Sequence, residues 1–176
     1  MFNKEYSFTG IHAGKVKKLT AQFNKESTAK MFSRNIDVYI IAPLIGFLYG
    51  RKADSDKSSS DTTKIFPEQL IKESSNLKYN YQLIMLLDEK NEASFENGLD
   101  KAFRYYGSDD NVSDKQLFEK YVRGGVDVLY EKLIEEANSS EDYLRNLYDF
   151  LEEFHERYNE NVSNDKIMDL CALAKS

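Results

Sequence analysis

Tryptophan is absent from this chain of 176 residues, cysteine occurs once, and histidine and proline occur twice each. Each scarcity closes off a class of protein. A lone cysteine, Cys171, rules out an intramolecular disulfide framework, and the chain is long enough to bury a core without one. One thiol and two imidazoles also fall short of a Cys/His zinc site. With 2 Pro and 8 Gly, collagen-like, low-complexity and turn-rich all-β chains are disfavoured. Long apolar runs are lacking as well. The most hydrophobic stretch, Ile40 to Tyr49 preceded by Ile36, Val38 and Tyr39, is broken by Asp37 and Pro43 and stops short of the ~20 residues that span a bilayer. Lys4, Glu5 and Tyr6 stand where the apolar segment of a secretory leader would begin, so a reducing cytoplasm is the expected location.

What is present is charge and aromatic surface. Hydrophobic residues make up 41% and charged residues 31%, with a formal net charge of −6. The charge is unevenly placed. Residues 1–52 hold nine Lys or Arg against three Asp or Glu, and residues 53–176 hold fifteen against twenty-seven. Nucleic-acid binding draws on cations that displace counterions along the phosphates, so any DNA contact falls to the basic end. Lys15, Lys17, Lys18, Arg51 and Lys52 are the candidate nucleic-acid-binding residues, with Lys25, Lys30 and Arg34 nearby in sequence. The same cations suit an acidic partner, or the protein's own acidic half, equally well.

Apolar residues recur at helical spacing through most of the chain. A modest amphipathic helix is expected over Gly10 to Phe23 and a second over Asn35 to Gly50, closed by Gly50. Pro43 removes a helical hydrogen bond and disfavours α geometry at Ala42. The second segment therefore reads as a kinked or split helix, with a short strand near residues 36–42 as the alternative. The Ser- and Asp-rich run Ala53 to Thr63 reads as a mobile loop. Further helices are expected from Pro67 to about Glu89, from Ser94 to Tyr106 with a stop at Gly107, from Ser113 onward, from Ser140 to Tyr158, and from Asn164 to Lys175. Gly124 and Gly125 interrupt the helix after Ser113, which calls for a bend or for a second backbone packed closely against it. The sum is a single all-α domain over 1–176, an irregular bundle of five to seven helices. It divides into a basic subregion 1–52, the loop 53–63 and an acidic helical body 64–176.

No catalytic signature emerges, and no cofactor or metal is expected. Gly10, Gly14 and Lys15 in GIHAGKV approach a phosphate-binding loop, but only three residues separate the glycines where four are needed, and Val16 replaces the Mg²⁺-binding hydroxyl. Glu152 and His155 form an E-x-x-H pair beside Glu156. A bundle di-metal site needs that pair twice, and His12 has no glutamate three residues before it. A small metal-dependent enzyme built around Glu152, His155 and Glu156 is thus an alternative to a packed or interfacial histidine on the stripe of Leu151 and Phe154. Cys171, in an apolar run, reads as a small hydrophobe. Twelve tyrosines and eleven phenylalanines, many beside charges as in Tyr79, Tyr81, Tyr130 and Tyr158, exceed what a small core needs and suit an interface with another protein. The Tyr105, Tyr106 pair and the Arg123 to Gly125 turn read as helix packing, with ligand contact as the alternative.

The segment Asp37 to Lys52, DVYIIAPLIGFLYGRK, is similar to a helical segment of small accessory proteins found with bacterial DNA phosphorothioation and restriction systems. Asp37, Gly46, Phe47, Arg51 and Lys52 are the matching positions. The resemblance implies a non-catalytic or DNA-associated helper in a genome-defence locus. The expectation for function is accordingly a non-catalytic helical accessory subunit that docks on a protein partner through acidic, aromatic-rich helices, with weak DNA contact through its basic N-terminal third and none with membrane. An acidic inhibitor that mimics nucleic acid is a further alternative.

Overall fold

The computed structural model describes residues 1–24, 28–108 and 112–158. In chain order these form β1 (Tyr6–Thr9), α1 (Gly10–Leu19), α2 (Asn35–Leu48), β2 (Thr62–Ile65), α3 (Pro67–Lys72), α4 (Ser74–Leu87), α5 (Phe95–Leu99), a π-helical turn (Asp100–Arg104), α6 (Val112–Leu133) and α7 (Ser140–Tyr158). The irregular helical bundle expected from periodicity is what the described residues build. Its one sheet is a pair of antiparallel strands, β1 and β2, with Tyr6 opposite Ile65 and Thr9 opposite Thr62.

Residues 36–42 are not a strand, and Pro43 neither splits nor ends α2. A proline inside a helix forfeits a hydrogen bond and costs ~3 kcal/mol. Helix α2 tolerates this because it lies at the centre of the bundle, touching α1, α4, α6 and β2. Ile36, Val38, Tyr39, Ala42 and Ile45 are all buried there, and large apolar side chains contribute about 2 kcal/mol each on burial. Asn80 of α4 adds a buried tie, its carboxamide donating to the Ile40 carbonyl at 2.8 Å. The helix ends as its sequence signals: Gly50 takes φ +63°, and the Arg51 amide turns back to the Gly46 carbonyl at 2.8 Å, a left-handed C-terminal closure that glycine adopts without strain.

Of the two explanations for Gly124 and Gly125, close backbone packing is the one that holds. Helix α6 continues unbroken through both. Gly125 faces the Ala42 carbonyl oxygen and Gly124 the Arg51 carbonyl oxygen, while Gly46 of α2 faces the Tyr121 carbonyl oxygen; a Cβ at any of the three would fall far inside van der Waals contact. Small residues let the two helices meet backbone to backbone.

Four boundaries depart from the periodicity reading. The helix expected over Gly10 to Phe23 ends at Leu19. The long helix expected from Pro67 to Glu89 breaks at Glu73 into α3 and α4. The sequence there, Glu73-Ser74-Ser75-Asn76, offers side chains that compete for backbone and local hydrogen bonds, and Glu73 accepts from Asn76 at 3.0 Å and from Arg34 at 3.4 Å. The helix expected over Ser94 to Tyr106 is capped by Ser94, whose Oγ accepts from the Asn97 amide at 3.3 Å, but it widens into the π-helical turn before Gly107. Residues 53–63 are tied to the body. Ala53 donates to the Lys120 carbonyl at 3.0 Å and accepts from Arg123 at 2.9 Å, Asp56 accepts from the Ile11 amide at 2.7 Å, and Thr62 already belongs to β2. The expected helix Asn164 to Lys175, with Cys171, lies outside the described residues.

The core is heavily aromatic. Phe2, Tyr6, Phe8, Tyr39, Tyr81 and Phe118 form one network, with neighbouring ring centroids 4.5 to 6.5 Å apart. Much of the aromatic excess is therefore spent inside the protein. No helix among the described residues is long and apolar enough to cross a membrane.

Candidate functional site

The five candidate nucleic-acid-binding cations are turned onto the protein's own acidic and phenolic groups. Lys15 Nζ lies 2.7 Å from Asp127 Oδ1 on α6, and Lys18 donates to the Tyr130 hydroxyl at 3.1 Å, with its ammonium 5.3 Å from the ring centre. Arg51 pairs with Glu131 at 2.9 Å. Lys52 stands 3.5 Å from Asp88 and 4.7 Å from the Tyr121 ring centre. Lys17 has the loosest partner, Asp61 at 3.9 Å. Four of the five cations, Lys15, Lys17, Arg51 and Lys52, thus have a carboxylate of the acidic half within 4 Å. Among the neighbouring cations, Arg34 pairs with Asp37 and Glu73, while Lys25 lies outside the described residues.

Two buried clusters in this seam were not visible in the sequence. His12 is 2% exposed, and neither of its ring nitrogens makes a hydrogen bond among the described residues; its Nε2 lies 3.4 Å from Asp127 Oδ1. Burial pushes the Asp127 carboxyl up, but His12 and Lys15 together hold it below the usual carboxylate range. In the second cluster, the Tyr121 hydroxyl donates to the buried Asp88 carboxylate at 2.6 Å. Burial, and then this bond to an anion, raise the Tyr121 phenol well above its ordinary pKa. Each cluster joins groups far apart in the chain, Lys15 with Asp127 over 112 positions and Tyr121 with Asp88 over 33, so no local spacing announces them.

The metal-enzyme alternative finds little geometry. Glu152, His155 and Glu156 occupy exposed positions on α7, and Glu153 between them is held by Lys132 at 2.6 Å and the Tyr49 hydroxyl at 3.1 Å. No group of three or more His, Cys, Asp or Glu that could hold a metal ion occurs among the described residues. The first of the approximate phosphate-loop glycines is also accounted for locally. Gly10, at φ +57°, has the Asp56 carboxylate where a Cβ would stand, so a protein carboxylate already occupies the start of α1.

Helix α7 carries the surface with the clearest potential for binding. Successive residues turn about 100° around an α-helix, so its apolar positions fall into two adjacent stripes. Tyr143, Leu147, Phe150 and Phe154 pack on the core: Tyr143 stacks on Phe23 with centroids 4.7 Å apart, and Phe150 stacks on Tyr49. Leu144, Tyr148 and Leu151, at i, i+4 and i+7, form the other stripe and are 60%, 64% and 57% exposed. Periodicity places both sets on one apolar face; the described residues cover only half of that face. Glu141 precedes Leu144 by three residues and Glu152 follows Tyr148 by four, spacings that set them beside the stripe. Of the tyrosines singled out from sequence, Tyr79 is exposed and Tyr81 buried, Tyr130 is half-buried, and the Tyr158 side chain lies outside the description. No protein-family model, no curated protein and no solved structure matches the chain.

Proposed function

We propose that the protein is a non-catalytic docking subunit whose binding surface is the uncovered apolar stripe of α7. The observation that carries this reading is the exposure of Leu144, Tyr148 and Leu151 as one continuous row beside packed residues of the same helix. Burying three such side chains on a partner supplies about 2 kcal/mol each before the costs of association. The acidic margin of Glu141 and Glu152 selects the partner's chemistry: an amphipathic helix with an apolar row flanked by Lys or Arg. The resemblance of residues 37–52 suggests beginning the search for that partner among components of DNA modification and restriction complexes.

Weak DNA contact through the basic N-terminal third is the secondary part of the proposal. A DNA complex at Lys15, Lys18, Arg51 and Lys52 would have to exchange existing internal pairs for phosphates, whereas docking on α7 requires no such exchange.

The test is capture of tagged protein from its native host, with and without nuclease, beside the variant Leu144→Ser/Tyr148→Ser/Leu151→Ser. A stoichiometric protein partner that survives nuclease and disappears with the folded variant supports the reading. A partner retained by the variant, or no partner at all, overturns it.

A further inference from the structure

The uncovered stripe of α7 suits an amphipathic helix with basic margins, and the chain's own sequence contains a segment of that chemistry. Residues 159–176 follow Tyr158, the last described position, and the apolar spacing over Asn164 to Lys175 is helical. At about 100° per residue, Ile167, Leu170, Cys171 and Ala174 fall into one row. Lys166 lies on one margin of the row and Lys175 on the other, while Asp165 and Asp169 fall on the opposite side.

Charge and reach both favour this segment as the occupant of the stripe. Glu141 and Glu152 are exposed beside it. The two arginines of α7 are committed elsewhere, Arg145 to Asp142 and Arg157 to the face of the Tyr49 ring, 4.7 Å from its centre. The acidic margin is therefore left to cations from beyond the helix. Arg157, together with Phe150 and Phe154 on the core, also holds the end of α7 on the body, so the segment starts from a fixed point. Residues 159–163, Asn-Glu-Asn-Val-Ser, match the length of an ordinary helix-to-helix turn, about 2–8 residues, and most of them favour turns. About twelve helical residues running back from that turn reach about 18 Å. On the same scale Leu151, Tyr148 and Leu144 lie about 10, 15 and 21 Å before the end of α7. The row thus meets Leu151 and Tyr148, and its last residues approach Leu144. In an antiparallel pair, the margin of Lys175 falls on the same side as Glu141 and Glu152.

We propose that residues 164–175 dock antiparallel on the apolar stripe of α7 as an internal ligand, so that a partner helix must displace the chain's own segment to bind. Ile167, Leu170, Cys171 and Ala174 supply the apolar contact, and Lys175 meets the acidic margin. The inference rests on the reading of α7 as a docking surface and adds the regulation of that surface.

The test is paramagnetic NMR on the full chain. A nitroxide is attached through Ala172→Cys in a Cys171→Ser background, off the apolar row, and the amides of Leu144, Tyr148 and Leu151 are read. The expected result is loss of most of their intensity, independent of protein concentration, with recovery in Ile167→Asp/Leu170→Asp. Both Asp changes lie beyond the described body, and an unaltered spectrum of the other helices shows that it remains folded. Unbroadened stripe amides, or broadening that persists in the Asp variant, overturns the proposal. So does broadening of isotope-labelled copies that carry no nitroxide when the two are mixed, which would make a second copy the occupant. In capture from the native host, the Asp variant is expected to recover at least about threefold more partner, the gain from opening a stripe that is covered about two-thirds of the time. An equal or lower yield overturns the regulation. The broadening is read without any partner, so failure of the docking reading shows separately, as no captured partner from wild type and variant alike.

Discussion

Gly125 of α6 stands directly against the carbonyl oxygen of Ala42 in α2, with no room for a Cβ between them. The contact lies one residue before Pro43, at the centre of the bundle, and the reciprocal approach of Gly46 to the Tyr121 carbonyl shows that both helices contribute a bare backbone to the crossing.

Gly125→Ala is therefore expected to destabilise the protein by at least ~2 kcal/mol through overpacking, despite alanine's better helix propensity. Gly14→Ala is the control. Gly14 lies inside α1 with nothing within 4 Å of its Cβ position, so the substitution is expected to stabilise by up to ~1 kcal/mol. Urea unfolding midpoints check both, and a neutral Gly125→Ala would mean that α2 and α6 do not touch at this point.

Lys15 and Asp127 form the most enclosed of the ion pairs joining the basic end to α6, with side chains 22% and 11% exposed. Lys15→Ala leaves the Asp127 carboxylate facing a buried His12, and a loss of about 2 kcal/mol is expected at neutral pH. The pH dependence follows from the direction of the shift. A carboxyl held below its unfolded value contributes stability that is complete above about pH 4 and is lost as pH falls through the lower folded value. Asp127→Asn should lower stability at pH 7 and flatten the acid limb of the stability profile; an unchanged acid limb would remove Asp127 from the account.

Tyr121→Phe deletes the 2.6 Å donor to Asp88 and leaves that buried carboxylate with Lys52 at 3.5 Å. The expected cost is about 1–3 kcal/mol, read from chemical denaturation. A Tyr121→Phe, Asp88→Asn double variant should lose less than the sum of the single changes, because the two groups act on each other.

The two stripes of α7 should separate cleanly in mutagenesis. Leu144→Ser, Tyr148→Ser and Leu151→Ser remove side chains that the fold leaves in water, so each is expected to change stability by no more than about 0.5 kcal/mol. Phe150→Ala, one residue from Leu151 but buried, is expected to cost about 3 kcal/mol. Thermal melts of the four variants distinguish a packed stripe from a docking stripe, and a large loss at Leu144 or Tyr148 would mean that the row is already covered.

Much of the architecture was legible because its signals are local. The bounds of α7 coincide with the apolar period from Ser140 to Tyr158, and Gly50 and Gly107 take the positive φ values expected of helix stops. The break at Glu73 was hidden because apolar spacing continues across it, and the π-helical turn because one added residue barely alters a helical pattern. The pairing of Lys15 with Asp127 spans 112 positions, beyond the reach of any local rule. The excess of Lys and Arg over residues 1–52 was legible in the sequence, but the groups these cations meet emerged only when the elements were packed together.

Composition and periodicity by themselves determined that this chain forms a helical bundle, that its single cysteine leaves it without an internal disulfide, and that its ends carry opposite charge. These follow from residue identity and spacing along one helix. Tertiary packing alone decided that Pro43 sits inside a continuous helix, that the basic end spends its charge within the molecule, and which half of α7's apolar arc stays in water. Each of those outcomes depends on what a neighbouring element offers: a glycine that admits a backbone, a carboxylate that meets an ammonium, or an aromatic ring that meets one stripe of a helix and not the next.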